Sequence, residues 1–169
     1  EIQAYVADTN IDAGSLLVHA DSDADISKNT TAGISASLVG ATGNHAKSFL
    51  QTTVEAYIDR STITVTGDVD VKATAKNKAR ASAEGGAIGL VAIGAMIAEI
   101  HLGTTDDDEV EARVGERTNL TAQKLTIQST SDDDLLAESI AGGAGAVAAT
   151  GAQADINSTL TTLATIGDN

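Results

Sequence analysis

The chain has 169 residues, a formal net charge of −14 and only 2% aromatic residues, with no cysteine and no proline. The negative charge argues against binding to nucleic acids or anionic membrane surfaces. The absence of cysteine excludes disulfides and thiol chemistry. With so few large aromatic side chains, the core must be thin and built from Ala, Val, Ile, Leu and Gly. The chain begins at Glu1 without a methionine, which predicts a processed chain or a piece of a longer protein.

A short strand-like phrase opens each of three repeats. It reads IQAYV at Ile2–Val6, VEAYI at Val54–Ile58 and VEARV at Val110–Val114, with a weaker copy, TLATI, at Thr162–Ile166. The central alanines, Ala4, Ala56, Ala112 and Ala164, are 52, 56 and 52 residues apart. Near-constant spacing of this size is typical of solenoids. We therefore predict one domain with repeats 1–53, 54–109 and 110–161 and a partial repeat 162–169.

Two further strand-like segments follow in the middle repeat. Thr62–Ala73 alternates apolar and polar residues, which predicts strands with one buried face, separated by a turn or bulge at Gly67-Asp68. Ala73–Glu84 places alanine at many alternate positions among charged residues. Alanine also favours helix, but the alternation favours a strand with small residues inward and charges outward.

A Gly/Ala-rich segment, Gly85–Leu102, completes the repeat and has relatives at Ala32–Leu50 and Gly142–Thr159. Its interior glycines disfavour a helix, and its continuous apolar character predicts a strand buried on both faces, with bulk from Ile88, Leu90 and Ile93. Its uncharged run of 14 residues is shorter than the ~20 residues of a membrane-spanning helix. We therefore expect no membrane insertion.

These segments predict an all-β fold, a parallel β-helix (β-solenoid) of three repeats plus a partial fourth. Because one solenoid rung typically uses ~20–30 residues, each repeat is expected to form about two rungs. The alternative is an antiparallel β-sandwich of long hairpins.

The phrases at Glu55–Ile58, Thr62–Thr74 and Gly85–Ile100 resemble the repeats of filamentous-haemagglutinin-like adhesins, especially the leukotoxin-type filamentous adhesins of bacterial surfaces. The resemblance extends over the whole chain and is strongest in the middle repeat. The first repeat departs from it at Asn44, His45 and Lys47, and the third has Arg113 in place of tyrosine. The resemblance implies a parallel β-solenoid, export and an adhesive or matrix role. It implies no catalytic or binding residues.

Acidic runs at expected turns are candidate calcium ligands, because Ca²⁺ takes several oxygen ligands. The candidates are Asp106, Asp107, Asp108, Asp132, Asp133 and Asp134. The alternative is a solvated acidic loop. The D-x-D-x-D pattern at Asp21–Asp25 lacks the glycine and glutamate of an EF-hand, so aspartates on the outer face of a strand explain it better. No other cofactor is expected.

Three other features of the sequence bear on possible sites. Asn29, Asn119 and Asn157 begin N-x-[ST] sequences and are candidate glycosylation sites. His19, His45 and His101 lie in different phrases without zinc-site spacing, so a zinc site is not expected. Tyr5 and Tyr57 occupy equivalent positions, which predicts a stacked ladder of rings rather than a ligand platform.

No catalytic constellation is evident, so we expect a structural protein of the cell surface or extracellular space, not an enzyme. The expected partner is a second copy of the chain, joined head to tail through open strand edges. The edge residues are Ile2, Ala4, Val6, Leu163, Ala164 and Ile166. Alternatives are an adhesin stalk or binding module that recognises glycans or a host surface and, more remotely, a β-helix enzyme that cleaves polysaccharides.

Overall fold

The computed structural model describes residues 1–103 and 108–167, which form strands and no helix. The first repeat contains β1 (Ile2–Ala7), β2 (Asn10–Ala13), β3 (Leu16–Ile26), β4 (Thr30–Ala36) and β5 (Val39–Leu50). The second contains β6 (Val54–Asp59), β7 (Thr62–Val65), β8 (Asp68–Ile88) and β9 (Val91–Leu102). The third contains β10 (Glu109–Val114), β11 (Asn119–Thr121), β12 (Lys124–Ala144) and β13 (Val147–Ser158), followed by β14 (Thr161–Ile166). None of the described residues forms a helix that could cross a membrane.

Every strand pairs in parallel with its equivalent in a neighbouring repeat, which produces four sheets. Sheet 1 has the order β1-β6-β10-β14 and sheet 2 the order β2-β7-β11. In sheet 3, β8 lies between β12 and the two strands β3 and β4; in sheet 4, β9 lies between β5 and β13. The all-β prediction is confirmed. The antiparallel sandwich is wrong, because all the described ladders are parallel.

The register follows the repeat spacing. Ala56 pairs with Ala4 on one side and Ala112 on the other, and Ala112 pairs with Ala164. Paired residues are therefore one whole repeat apart, and the prediction of two rungs per repeat is wrong. Each repeat supplies a single layer of strands, and we use the word rung for that layer below.

The interior consists of two aliphatic clusters. One lies between sheets 1, 2 and 3 and is centred on Val54, Ile58 and Val71. The other lies between sheets 3 and 4, around Ala81, Met96 and Ile100. Near the bend that joins these two sheets the interior is thin enough for direct bonds across it, since Thr42 Oγ1 donates to the Gly86 carbonyl oxygen at 2.9 Å. Small residues are required there because the sheets approach so closely.

The Gly/Ala-rich segment differs from its prediction in two respects. It is interrupted at Gly89-Leu90, where the chain bends from β8 into β9. Only one face of β9 is buried, and Ile88, Leu90 and Ile93 are 53%, 58% and 52% exposed. The bends of successive rungs stack tightly: a Cβ on Gly89 would lie 2.2 Å from the Ser37 carbonyl oxygen. The prediction of a strand buried on both faces is therefore wrong.

Candidate functional site

A buried polar network interrupts the interior between the two aliphatic clusters. Asn77 points inward from β8 and is only 1% exposed. Its Oδ1 accepts a hydrogen bond from Thr52 Oγ1 at 2.8 Å, and its Nδ2 donates to Asp133 Oδ1 at 2.8 Å. The backbone amide of Thr52 donates to Asp108 Oδ1 at 3.0 Å. The network therefore links residues of all three repeats through hydrogen bonds made inside the stack.

On the outer face of sheet 3, beside this network, aspartates of the first and third rungs flank lysines of the second rung. Asp23 and Asp132 pair in register with Lys76 on opposite sides, and Asp25 and Asp134 pair in the same way with Lys78. Opposite charges on neighbouring strands stabilise a ladder by roughly 0.2–1 kcal/mol per pair. The aspartates of the first repeat therefore lie on an outer strand face, as predicted.

The predicted calcium ligands that the structure describes consequently do not form one cluster. Asp108 and Asp133 belong to the inward network, where Asp108 is buried. Asp132 and Asp134 face outward beside lysines, and Asp134 Oδ2 lies 3.8 Å from Arg80 Nη2. Asp106 and Asp107 lie outside the described residues. Calcium binding stays a prediction, but within the chain these lysines and Arg80 already supply positive charge beside Asp132 and Asp134.

The candidate glycosylation sites occupy different surroundings. Asn29 uses its side-chain nitrogen to donate to the Lys47 carbonyl oxygen at 2.7 Å and to Ser48 Oγ at 2.8 Å. A glycan on that nitrogen would disrupt these bonds. Asn119 on β11 and Asn157 on β13 are exposed strand residues of the third rung. Glycosylation of all three stays a prediction.

A cluster around Glu99 was not anticipated from the sequence. Lys47 Nζ lies 3.0 Å from Glu99 Oε2, and the Nε2 atoms of His45 and His101 each lie 3.4 Å from that oxygen. The hydrogen bond from Lys47, supported by one from His101, holds the pKa of Glu99 below its ordinary value against the opposing effect of desolvation. Phe49 stacks on His101 with 5.0 Å between ring centroids. The signal that would have revealed this cluster is the 52-residue register, which pairs Lys47 with Glu99.

Three carboxylates meet on the outer face of sheet 1. Oxygens of Glu55, Glu109 and Glu111 lie within 4.8 Å of one another. Glu55 and Glu111 accept hydrogen bonds from neighbouring rungs: Gln3 Nε2 donates to Glu55 Oε2 at 2.8 Å, and Thr165 Oγ1 donates to Glu111 Oε1 at 3.3 Å. Hydrogen bonds between rungs therefore account for the orientation of both side chains.

The predicted tyrosine ladder is present on that face. The rings of Tyr5 and Tyr57 stack with 5.2 Å between centroids and 9° between planes. The third rung continues the ladder with a cation, since Arg113 Cζ lies 4.3 Å from the centroid of Tyr57. Offset stacking and cation–π contacts both stabilise such a column.

The predicted assembly residues lie on the two edge strands of sheet 1, β1 and β14. Ile2, Ala4 and Val6 pair with the buried residues Val54, Ala56 and Ile58. Ala164 and Ile166 pair in the same way with the inward residues Ala112 and Val114 of β10. Leu163 instead pairs with the outward Glu111. Ile166 is 67% exposed because no further strand covers it among the described residues.

The surface on both sides of the bend between sheets 3 and 4 is apolar. On the sheet 3 side, a groove of about 440 Å³ is lined mainly by small and aliphatic residues, among them Gly86, Gly142, Ile34 and Ile88, together with Glu84. On the sheet 4 side, the outward positions of β5, β9 and β13 nearest the bend carry only Gly, Ala, Val or Ile. Contiguous exposed apolar surface is typical of protein–protein or membrane interaction sites.

No protein-family model matches the chain, and neither a curated protein nor a solved structure shows significant similarity to it. The resemblance to filamentous adhesin repeats therefore depends on the repeated phrases themselves.

Proposed function

We propose that the chain is a structural segment of an extracellular fibre or adhesin, folded as a parallel β-helix, whose copies associate end to end. The observation that carries this proposal is the common register: equivalent strands of successive repeats pair in parallel in four sheets. A protein of this kind acts through its length and its surface instead of through a cleft. The acidic composition and the absence of cysteine are compatible with an extracellular location.

The layered register supports the association. In a stack, each rung offers the next one a row of backbone amide and carbonyl groups. The outer edges of β5 and β13 have no partner strand among the described residues, and open parallel edges recruit further strands. A second copy whose β2 to β5 pair with β11 to β13 would continue three of the four sheets.

Sheet 1 imposes a condition on this docking. The strand β14 pairs with β10, which is the position that β1 of a copy docked in full register would take. Two copies of this 169-residue chain can therefore continue all four sheets only if β14 leaves β10 or if the incoming β1 is displaced. Direct pairing of β1 on β14 would instead leave a missing layer in the other three sheets.

The test uses a backbone hydrogen-bond donor on the open edge. The amide N–H groups of Val147 and Thr159 donate to the carbonyl oxygens of Leu90 and Leu102. Odd-numbered residues of β13 therefore direct their N–H groups towards β9, and even-numbered residues direct theirs away from it. Ala154→Pro removes one of these outward donors without breaking the β9 ladder. We expect the wild-type chain to form filaments in negative-stain electron microscopy and Ala154→Pro to remain a folded, short particle.

The matched control is Ala154→Ser, which retains the N–H group and should assemble like the wild type. Circular dichroism would check that both variants remain folded. The proposed end-to-end association is wrong if the wild-type chain stays monomeric at high concentration, or if Ala154→Pro assembles as well as Ala154→Ser.

A further inference from the structure

The outer surface of sheet 4 beside the bend consists of nine apolar positions, which we call the apolar face. In register they are Val39, Val91 and Val147, then Ala41, Ile93 and Ala149, then Gly43, Ala95 and Gly151. The larger side chains are well exposed: Val39 is 64%, Ile93 is 52% and Val147 is 61% accessible. Nothing among the described residues covers this face.

We infer that the apolar face binds the same face of a second copy of the chain. The charge distribution favours this partner. The chain carries a net charge of −14, yet none of the nine positions is charged or polar. Two copies that approach through any strongly acidic surface repel each other, whereas this face brings no charge to the contact.

The order of side-chain sizes makes the face self-complementary. The row nearest the bend is valine, the middle row is alanine and isoleucine, and the far row is glycine and alanine. A two-fold axis parallel to the stack and passing over Ile93 places each valine row against the glycine–alanine row of the other copy. Val91 then faces Ala95, and Ile93 faces Ile93. A contact that uses one patch twice is the isologous arrangement of two-fold dimers.

The same axis explains why a second copy suits the face better than a lipid bilayer. Four residues beyond the far row, Lys47, Glu99 and Asp155 form a charged row on the same side of sheet 4. A bilayer in contact with the flat face would reach this row and dehydrate it, at considerable cost. In the two-fold arrangement the charged row lies opposite the space beyond the partner's bend, so it stays in water.

The area is sufficient for a weak dimer. One outward residue covers about 32 Å² of sheet, from about 6.7 Å along the strand and 4.8 Å between strands. The apolar face and the two rows that flank it, Leu38-Leu90-Ala146 and His45-Ile97-Gln153, comprise fifteen positions. They cover about 500 Å² per copy, or roughly 1,000 Å² in total, the lower limit for a specific interface. We therefore expect a reversible dimer that is best detected by cross-linking.

The absence of cysteine from the chain makes single-cysteine variants clean probes. Ile93→Cys places its thiol on the two-fold axis and should form a disulfide dimer with copper phenanthroline at least ten-fold faster than Leu17→Cys. Leu17 is a matched control because it is also a large aliphatic residue, 62% exposed, on the outer face of sheet 3. A mixture of Val91→Cys and Ala95→Cys chains should give the mixed dimer faster than either chain alone gives its own.

Each outcome decides the inference. Equal cross-linking of Ile93→Cys and Leu17→Cys overturns the pairing, and equal rates for Val91→Cys alone and for the mixture overturn the two-fold axis. Co-sedimentation with phosphatidylcholine vesicles that Ile93→Glu abolishes, without rapid cross-linking, assigns the face to lipid and also overturns the pairing. Repeating the cross-linking in the Ala154→Pro background separates this result from end-to-end association, because lateral pairing requires no stacking.

Discussion

At the scale of single residues, glycines near the bend lie where a side chain would meet both a neighbouring strand of sheet 3 and the facing sheet 4. A Cβ on Gly85 would lie 2.4 Å from the Gly33 carbonyl oxygen and 2.6 Å from Met96 Cε. The methionine can move, but the backbone oxygen belongs to a paired strand. The inward positions around Gly85 are therefore specified by space, not by backbone conformation.

We expect Gly85→Ala to lower the free energy of unfolding by about 1–3 kcal/mol, the usual cost of overpacking. Gly151→Ala is the control, because no heavy atom lies within 4 Å of the Cβ it would add. That substitution should be neutral or stabilise the fold by up to about 1 kcal/mol, since glycine loses more backbone entropy on folding. Urea denaturation measures both variants, and equal effects would contradict the packing argument.

The Glu99 cluster makes a pH-dependent contribution to stability. Lys47 lowers the pKa of Glu99, and Arg60 lowers the pKa of Asp8 through hydrogen bonds. A carboxylate with a depressed folded-state pKa contributes stability above its unfolded pKa, about 4.3 for glutamate, and loses it as the pH falls through the folded value. Acid should therefore weaken the fold through both groups.

We expect Lys47→Met to melt at a lower temperature than the wild type at pH 7, with the difference shrinking as the pH falls below about 4 and Glu99 is protonated. Lys28→Met removes the same charge from a lysine that has no ion pair with any described residue, so its difference should be small at every pH. Thermal melts between pH 7 and pH 2.5 measure both. A pH-independent gap for Lys47→Met would show that its effect does not involve Glu99.

At the scale of strands, the sequence predicted the register best where bulky residues alternate with polar ones. The phrases around Ala4, Ala56, Ala112 and Ala164 pair as expected, because a shift by one residue would turn Val54 and Ile58 outward. The Gly/Ala-rich segments lack this constraint. If these segments are aligned by their Gly-Gly pairs, Gly85 is matched with Gly142, whereas the structure pairs Gly86 with Gly142.

The exposed apolar residues and the Glu99 cluster were not predicted for a related reason. Ile88, Leu90 and Ile93 follow no single period across the bend at Gly89, so their direction depends on where the chain turns. His45 and Lys47 become neighbours of Glu99 only when the 52-residue register is applied to the outer face of sheet 4. The calcium prediction treated all the acidic runs as turns, but Asp132–Asp134 lie inside the long strand β12.

At the scale of the whole molecule, the proposed stacking brings specific charges together. In full register, Asp132 faces Asp23 of the next copy, because both residues pair with Lys76 within one chain. Asp155 instead faces Lys47 of the next copy, because both pair with Glu99. The end-to-end contact therefore contains a repulsive position and an attractive one.

Two variants with the same change in net charge should act in opposite directions. Asp132→Lys places a lysine opposite Asp23 of the next copy and should lower the concentration needed for filaments by about fivefold, equivalent to about 1 kcal/mol. Asp155→Lys should raise that concentration by a similar factor. Pelleting assays at low and high salt measure both, and the difference should shrink as salt screens the charges. Equal shifts in one direction would mean that net charge alone governs assembly.

The strand β14 determines how two copies can meet. The amide N–H groups of Thr161 and Gly167 donate to the carbonyl oxygens of Asp108 and Val114. The odd-numbered residues of β14 therefore donate to β10, and the even-numbered residues direct their N–H groups to the open edge. Leu163→Pro removes a bond to β10 and should release β14, whereas Ala164→Pro removes only an outward donor.

Full-register stacking in which the incoming β1 pairs with β10 requires that position to be vacant, so Leu163→Pro should shorten the lag before filaments appear by several-fold or more, in proportion to the weakened β10 ladder. Ala164→Pro should leave the lag near that of the wild type. Direct pairing of β1 on β14 predicts the reverse order, because it needs β14 in place with its outward donors free. Light scattering with seeded and unseeded chains distinguishes the two docking modes. If Ala164→Pro blocks assembly and Leu163→Pro slows it, the copies join through β14 itself. The other three sheets are then not continuous between copies.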